Sequence, residues 1–368
     1  MEQDRRIEGI DATNQAFIKY DQVEKRQEYH LAEKPGEDAF DEDFRIKTCD
    51  LGRFLTGGDT DKAAFAKELG EALSEIGFAV LENHGVDPAL YDEIEDTTLE
   101  LFTETPLEEK LRYRAQRHGS VNQGYFPIKE TSGIHPDLVE GWVFCRRAFD
   151  LDGDPGYRET DFWPARQASR ANGAASYERA FRRLVNAHEA LILPVMQSLL
   201  RFLGGEPHHY DARLTKTNFG QRLNYYPPVE AADEASGAGR MLGHEDVDLF
   251  TFLPAARVEG LQVLNRRNMK WIRLSPPRGT IILNTGDYAQ RISNDILPST
   301  THRVSLPRDQ ALRGRPRLST PMAIYLWENE VLEVLPGLGA PKYEPIRALP
   351  FHTRITSKYY GDGYAVGD

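Results

Sequence analysis

Apolar residues recur along this chain with two different periods, and the change from one to the other divides it. Over residues 175–203, Phe181, Leu184, Val185, His188, Leu191, Ile192 and Val195 fall at helical intervals, and the pattern stops at Gly204-Gly205. The stretch DTDKAAFAKELGEALSEIG (59–77) predicts another helix through its acidic start, helical apolar spacing and terminal glycine. A further helix is predicted over 88–104, and Pro106 opens another at a first-turn position where its missing N–H costs nothing. RIKTCDL, FAVLENHG and GWVFCRRAF read as short strands between them. From about residue 218 the texture changes to short aromatic and β-branched runs, among them QRLNYYPP, LFTFLP, GLQVLN, KWIRLS, GTIILNTGD and PMAIYLWE, punctuated by Gly, Pro and Asn. Such a series predicts a sandwich or jelly roll.

The boundaries expected on this pattern are a polar arm (1–43) of wrapping or mobile character, a helix-rich segment (44–217), a strand-rich core (218–335) and a C-terminal segment (336–368). No linker-like stretch separates the helical front from the strand-rich back, so one compact domain is expected, mainly β with covering helices.

Charge changes the picture next. The 368 residues carry 45 basic and 57 acidic side chains, a net charge of −12, which disfavours nucleic acid and anionic membranes as partners. A small anionic ligand would then need a local basic anchor. The two cysteines, Cys49 and Cys145, are far apart and outside any CxxC spacing, which fits a reducing compartment and excludes a cysteine-based zinc site. Without an apolar leader at the N-terminus or eighteen consecutive apolar residues, a soluble, cytoplasmic monomer is expected.

The candidate chemistry lies in LGHEDVDLFTFLP (242–254), where His244, Asp246 and Asp248 interrupt an apolar strand pattern. In an extended chain these three share a face. His244 and Asp246, about 6 to 7 Å apart at the backbone, can reach one metal ion, whereas Asp248, about 13 Å from His244, is expected to hydrogen bond or meet solvent. His302, in STTHRVSL, is the best third ligand because it stands among strand formers of the same half. Two histidines and one carboxylate on one face of an octahedron leave three positions open, the arrangement of non-haem Fe(II) oxygenases.

The ordered motifs NYYPP, HED, GLQVL, PPRGTIILNTGD, SND, THRV and RLS, preceded by IGFAVLENHGV and QGYF, resemble the isopenicillin N synthase-like branch of the Fe(II)/2-oxoglutarate-dependent dioxygenases, over roughly residues 45 to 330. The resemblance implies a double-stranded β-helix (jelly roll) with Fe(II) held by His244, Asp246 and His302. It also implies 2-oxoglutarate held by Arg317 and Ser319 of RLS, with further contacts from Asn224 and Tyr226. A guanidinium grips a carboxylate through two parallel hydrogen bonds, and a hydroxyl two residues on projects from the same strand face. The arginine-loaded stretch before RLS offers Arg313 and Arg315 as competitors. With O2, the implied reaction converts 2-oxoglutarate to succinate and carbon dioxide while a small-molecule substrate is hydroxylated, desaturated or cyclised, in specialised metabolism. Retention of Asp246 favours these outcomes over halogenation, since related halogenases lack that carboxylate.

Arg146 or Arg147, of which alternation sends one inward, and Gln123, Tyr125, Phe250 and Trp327 are the expected substrate contacts. His84 is expected to be structural, and His208 and His209 to lie at the surface. Two alternatives remain at this stage: an iron oxidase of the same fold that needs no 2-oxoglutarate, and a non-catalytic jelly-roll binding module.

Overall fold

In the two main sheets, strand β1 (Thr48–Asp50) leads into α1 (Asp59–Ile76), β2 (Phe78–Glu82) and α2 (Pro88–Glu104) in a computed structural model of the chain. The structure describes residues 16–19, 27–30, 38–128, 138–166, 176–230 and 239–360. Asp59 and Asp61 occupy the first turn of α1, where carboxylates favour the exposed N–H groups. Gly77 ends the helix at φ 74°, and a Cβ there would fall 2.5 Å from the Pro298 carbonyl oxygen, so the turn into β2 requires glycine. Asp87 caps α2 through Ala89 N, with Pro88 in the first turn.

The chain continues through β3 (Gln116–His118), β4 (Val121–Phe126), β5 (Glu140–Cys145) and α3 (Tyr177–Phe202). Then follow β6 (Asn218–Tyr226), β7 (Met241–His244), β8 (Phe250–Pro254), β9 (Leu261–Asn265), β10 (Lys270–Arg273), β11 (Ile281–Thr285), β12 (His302–Val304), β13 (Arg317–Ser319) and β14 (Met322–Tyr325). Helix α4 (Ala348–Tyr360) lies in the C-terminal segment.

Among the described residues these strands form a ten-stranded sheet, ordered β1-β2-β11-β8-β14-β6-β5-β4-β3 with β13 also on β6, and a four-stranded sheet ordered β10-β9-β12-β7. Five strands of the larger sheet come from residues 44–217, so the helix-rich segment builds part of the sheet as well as covering it. Alternation separates the two faces of β8. Phe250 and Phe252 join the main core with Leu184, Leu191 and Val195 of α3, while Thr251 and Leu253 turn to the cavity between the sheets.

Residues 38–43 wrap the outer edge of the smaller sheet. Phe40 bridges to Trp271 and lies beneath the Arg273 guanidinium, and Asp38 pairs with the buried Arg303 at 2.7 Å. Residues 16–19 and 27–30 form an antiparallel strand pair, and the rest of the expected arm lies outside the described residues. His84 joins the turn after β2 to the start of β11, its Nε2 donating to Gly279 O (2.8 Å) and its Nδ1 accepting from Val86 N (3.2 Å). No helix among the described residues is long and apolar enough to cross a membrane.

His188 on α3 is fully buried, between Tyr91 and Phe252. Burial, with His84 nearby, pushes its pKa down to about 3, and burial likewise takes His352 on α4 down to about 4. Both rings are therefore neutral in the folded protein, whereas an unfolded histidine takes a proton near pH 6.5. Folded pKa values below the unfolded one mean that stability is lost as pH falls below about 6.5, by about 1.4 kcal/mol per pH unit for each such histidine, until the folded pKa is reached. Denaturant titrations between pH 7 and pH 5 should show this loss, and His188→Leu should reduce its slope by about one proton; an unchanged slope would contradict the account.

Candidate active site

Strand β7 ends at His244, and the chain then leaves the sheet before resuming at Phe250. Asp246 thus meets His244 through a turn of the backbone, not through alternation along one continuous strand. The turn is pinned from beneath: the N–H groups of Asp287, Tyr288 and Gly286 donate to the carbonyls of Asp246 (2.9 Å), Asp248 (3.0 Å) and Leu249 (3.2 Å). Gly286 permits this approach, since a Cβ there would sit 2.2 Å from Asp248 Oδ1 and 2.5 Å from Asp248 O. That is the physical content of the TGD motif.

His302 stands opposite His244 in the register of β12 and β7, with ring centroids 4.3 Å apart. One ligand-capable atom from each of His244, Asp246 and His302 lies within 4.8 Å of the others. Asp246 Oδ1 is 3.8 Å from His244 Nε2 and 3.9 Å from His302 Nε2. Each imidazole is held in one tautomer by its own backbone. His244 Nδ1 donates to Leu242 O (2.8 Å) and His302 Nδ1 to Thr300 O (3.1 Å), since a carbonyl can only accept. Both Nε2 atoms are left as lone-pair donors turned toward one point.

Asp246 is oriented in the same way. Its Oδ2 accepts from Asn284 Nδ2 (2.8 Å) and Thr251 Oγ1 (3.0 Å), leaving Oδ1 to face the imidazoles. Burial works to raise its pKa, but His302, His244 and the two hydrogen bonds outweigh it and hold the carboxyl below the usual range. Asp248 takes the other course. Fully buried, with Asp246 nearby, it is pushed well above the usual carboxylate range. Its Oδ2 accepts from Thr251 Oγ1 (2.6 Å), the same hydroxyl that lies 3.0 Å from Asp246 Oδ2. Asp248 therefore hydrogen bonds and does not join the three converging groups.

These residues line a cavity of about 270 Å³. On its other wall, β13 pairs with β6 so that Arg317 lies opposite Tyr226 and Ser319 opposite Asn224, all four facing the cavity. Ser319 Oγ accepts from Asn224 Nδ2 (3.3 Å), and the Arg317 guanidinium sits 5.0 Å from the Tyr226 ring centre. Arg317 is 3 % exposed, yet among the described residues its Nε and Nη1 have no hydrogen-bond partner. A buried guanidinium left in that state is costly unless an anion completes it. Burial pushes its pKa down, against Tyr226. Arg313 and Arg315 do not line the cavity.

The expected substrate contacts fare differently. Gln123 accepts from Cys145 N (3.0 Å), and Tyr125 donates to Glu140 (2.6 Å). Arg146 pairs with Glu189 (2.7 Å) and Asp152 (3.3 Å), and Arg147 lies over Phe162. Trp327 Nε1 donates to Lys216 O (2.7 Å), and Phe250 is in the main core. None of the six reaches the cavity. The residues one position away do so in three cases, Asn122 for Gln123, Phe126 for Tyr125 and Thr251 for Phe250, because alternation turns neighbours to opposite faces. Sequence reasoning also missed Arg222, two positions before Asn224 on the same face of β6, and His352 and Thr356 of α4.

Comparison with known proteins places this geometry. Residues 46–166 match the family described as the non-haem dioxygenase in morphine synthesis N-terminal domain, and residues 217–324 match the 2OG-Fe(II) oxygenase superfamily. The 2-oxoglutarate-Fe(II) type oxidoreductase ppzC of Metarhizium majus (strain ARSEF 297) is 29% identical over 333 residues, covering 84% of this chain and 86% of that protein. The proline hydroxylase buaE of Petromyces alliaceus is 27% identical over 266 residues, covering 72% and 81%. A full-length Neurospora crassa protein, solved as a crystal structure in complex with alpha-KG and thymine, superimposes with a TM-score of 0.75 at 26% identity, over 88% of this chain and 100% of that one. With both family segments present in order and a jelly roll carrying a His-Asp-His cluster between its sheets, the chain belongs to the isopenicillin N synthase-like Fe(II)/2-oxoglutarate-dependent oxygenases.

Proposed function

We propose that His244, Asp246 and His302 hold Fe(II), that Arg317 and Ser319 take the distal carboxylate of 2-oxoglutarate beside Asn224 and Tyr226, and that the cavity between them admits a small molecule for oxidation. One observation carries this reading: a cluster of two Nε2 atoms and one carboxylate oxygen shares its cavity with a buried guanidinium whose Nε and Nη1 find no partner among the described residues. The donor set suits a divalent iron that must keep open positions. Bound there, iron and 2-oxoglutarate supply the oxidising chemistry, with succinate and carbon dioxide as co-products. The chain's own part is to fix both imidazole tautomers, turn Asp246 Oδ1 inward and enclose the reacting groups in a largely apolar space.

A cavity near 270 Å³ is at the small end of ligand sites, which supports a compact substrate. A relative named for proline hydroxylation, and the Neurospora crassa complex with thymine, support the same size class. The fungal ppzC relative supports a place in specialised metabolism, with hydroxylation, desaturation and ring formation as the outcomes open to it. We read the chain as a cytoplasmic monomer that acts on a small molecule and, given its charge of −12, not on nucleic acid or membranes. The unpaired Arg317 favours a 2-oxoglutarate enzyme over an oxidase that dispenses with the keto acid. The test is 2-oxoglutarate consumption by anaerobically reconstituted protein on admission of oxygen. Iron-dependent succinate release is expected, and oxygen uptake without the keto acid would overturn the reading.

A further inference from the structure

Two arginines line the cavity, and the reading above uses only one. Arg222 projects from the same face of β6 as Asn224 and Tyr226. It stands four residues from the position paired with Arg317, about 13 Å along the strand. Its Nε donates to Asn224 Oδ1 (2.7 Å), and its guanidinium lies 5.7 Å from the Phe126 ring centre and passes over Gly141. It is half-buried, and among the described residues no carboxylate pairs with it. Arg146, by contrast, is neutralised by Glu189 and Asp152, and Arg166 by Glu100. Val121, Phe126 and Val143 form an apolar cluster that also lines the cavity beside Arg222.

A cation held on one side and left open on the other two nitrogens presents a planar two-donor fork to the cavity. In a chain of net charge −12, such a group is the local basic anchor that a small anion needs. We propose that Arg222 is the specificity-determining contact of this enzyme and that its substrate carries a carboxylate on a compact apolar body, the carboxylate on Arg222 and the body against Val121, Phe126 and Val143. The proposal rests on the assignment of Arg317 to 2-oxoglutarate, which leaves Arg222 free for the substrate.

Protein loaded anaerobically with Fe(II) and saturating 2-oxoglutarate can be titrated by calorimetry with benzoate, phenylacetate and the two corresponding amides. Each acid should bind about tenfold or more tightly than its amide. Arg222→Gln should abolish that difference while changing 2-oxoglutarate affinity by less than about threefold, and Arg222→Lys, which keeps the charge but loses the fork, should retain part of it. Equal binding of acids and amides, no binding of either, or an acid preference that survives Arg222→Gln would overturn the proposal. So would a loss of 2-oxoglutarate affinity in Arg222→Gln matching the loss in acid affinity, because Arg222 would then serve the co-substrate. Iron and 2-oxoglutarate uptake are measured in the loading step. Failure there by the wild type would bring down the underlying reading and this proposal with it, whereas failure only in the titration leaves that reading intact.

Discussion

Replacing Asp246 by Ala should remove Fe(II) binding and with it all succinate release. Asp246 is the only anion among the three converging groups, and the two imidazoles that remain are neutral donors whose Nδ1 protons are committed to backbone carbonyls. Altering a group that merely orients a ligand costs roughly 10–100-fold in metal affinity, and loss of the ligand itself should cost more. A companion variant separates charge from shape. In Asp246→Asn the amide oxygen can still accept from Asn284 and Thr251, so the turn after β7 should be preserved. Its NH2 group would then face the imidazoles, and a donor in that place repels a cation. Anaerobic Fe(II) titration and succinate assay of both variants, with thermal melts to show that they fold, check this; near wild-type iron affinity in Asp246→Asn would contradict it.

Arg317→Met has the second large effect, and it splits binding from stability. In the ligand-free protein the guanidinium is buried with Nε and Nη1 unpartnered, so an apolar side chain of similar length should leave the melting temperature unchanged or raise it. With 2-oxoglutarate present the order reverses. Losing a buried charge-assisted pair costs about 3 kcal/mol, or roughly a hundredfold in 2-oxoglutarate affinity, and the stabilisation the ligand confers should disappear with it. Melts of wild type and variant with and without 2-oxoglutarate measure both halves. A variant less stable than wild type without ligand but equally stabilised by it would show that Arg317 is structural.

What the sequence made legible follows from how local each signal is. The helices over 59–76 and 177–202 carry their periodicity within their own length and glycine stop signals just beyond it, and they form close to where those signals put them. The order of motifs singles out His244, Asp246, His302 and Arg317, which the structure brings to one cavity. Alternation does not carry Asp246 to His244, because the strand ends at His244 and the backbone turns. The substrate wall was harder. Which of Phe250 and Thr251, or of Tyr125 and Phe126, turns to the cavity is a matter of one-residue parity that no composition signal decides; Thr251 and Phe126 do so. Arg222 was within reach, since the alternation that aligns Asn224 with Tyr226 also aligns Arg222. So was Asn284, a polar residue inside the apolar run IILNT and now the donor that aims Asp246. His352 and Thr356 carry no local sign of their place; only the packing of α4 brings them to the cavity.

Anomalous diffraction from anaerobic crystals equilibrated with Fe(II) and 2-oxoglutarate tests the central claim most directly. The account predicts one iron peak between His244 Nε2, Asp246 Oδ1 and His302 Nε2, with the distal carboxylate of 2-oxoglutarate on the Arg317 guanidinium. Iron bound elsewhere, or a distal carboxylate seated on Arg222, would contradict it.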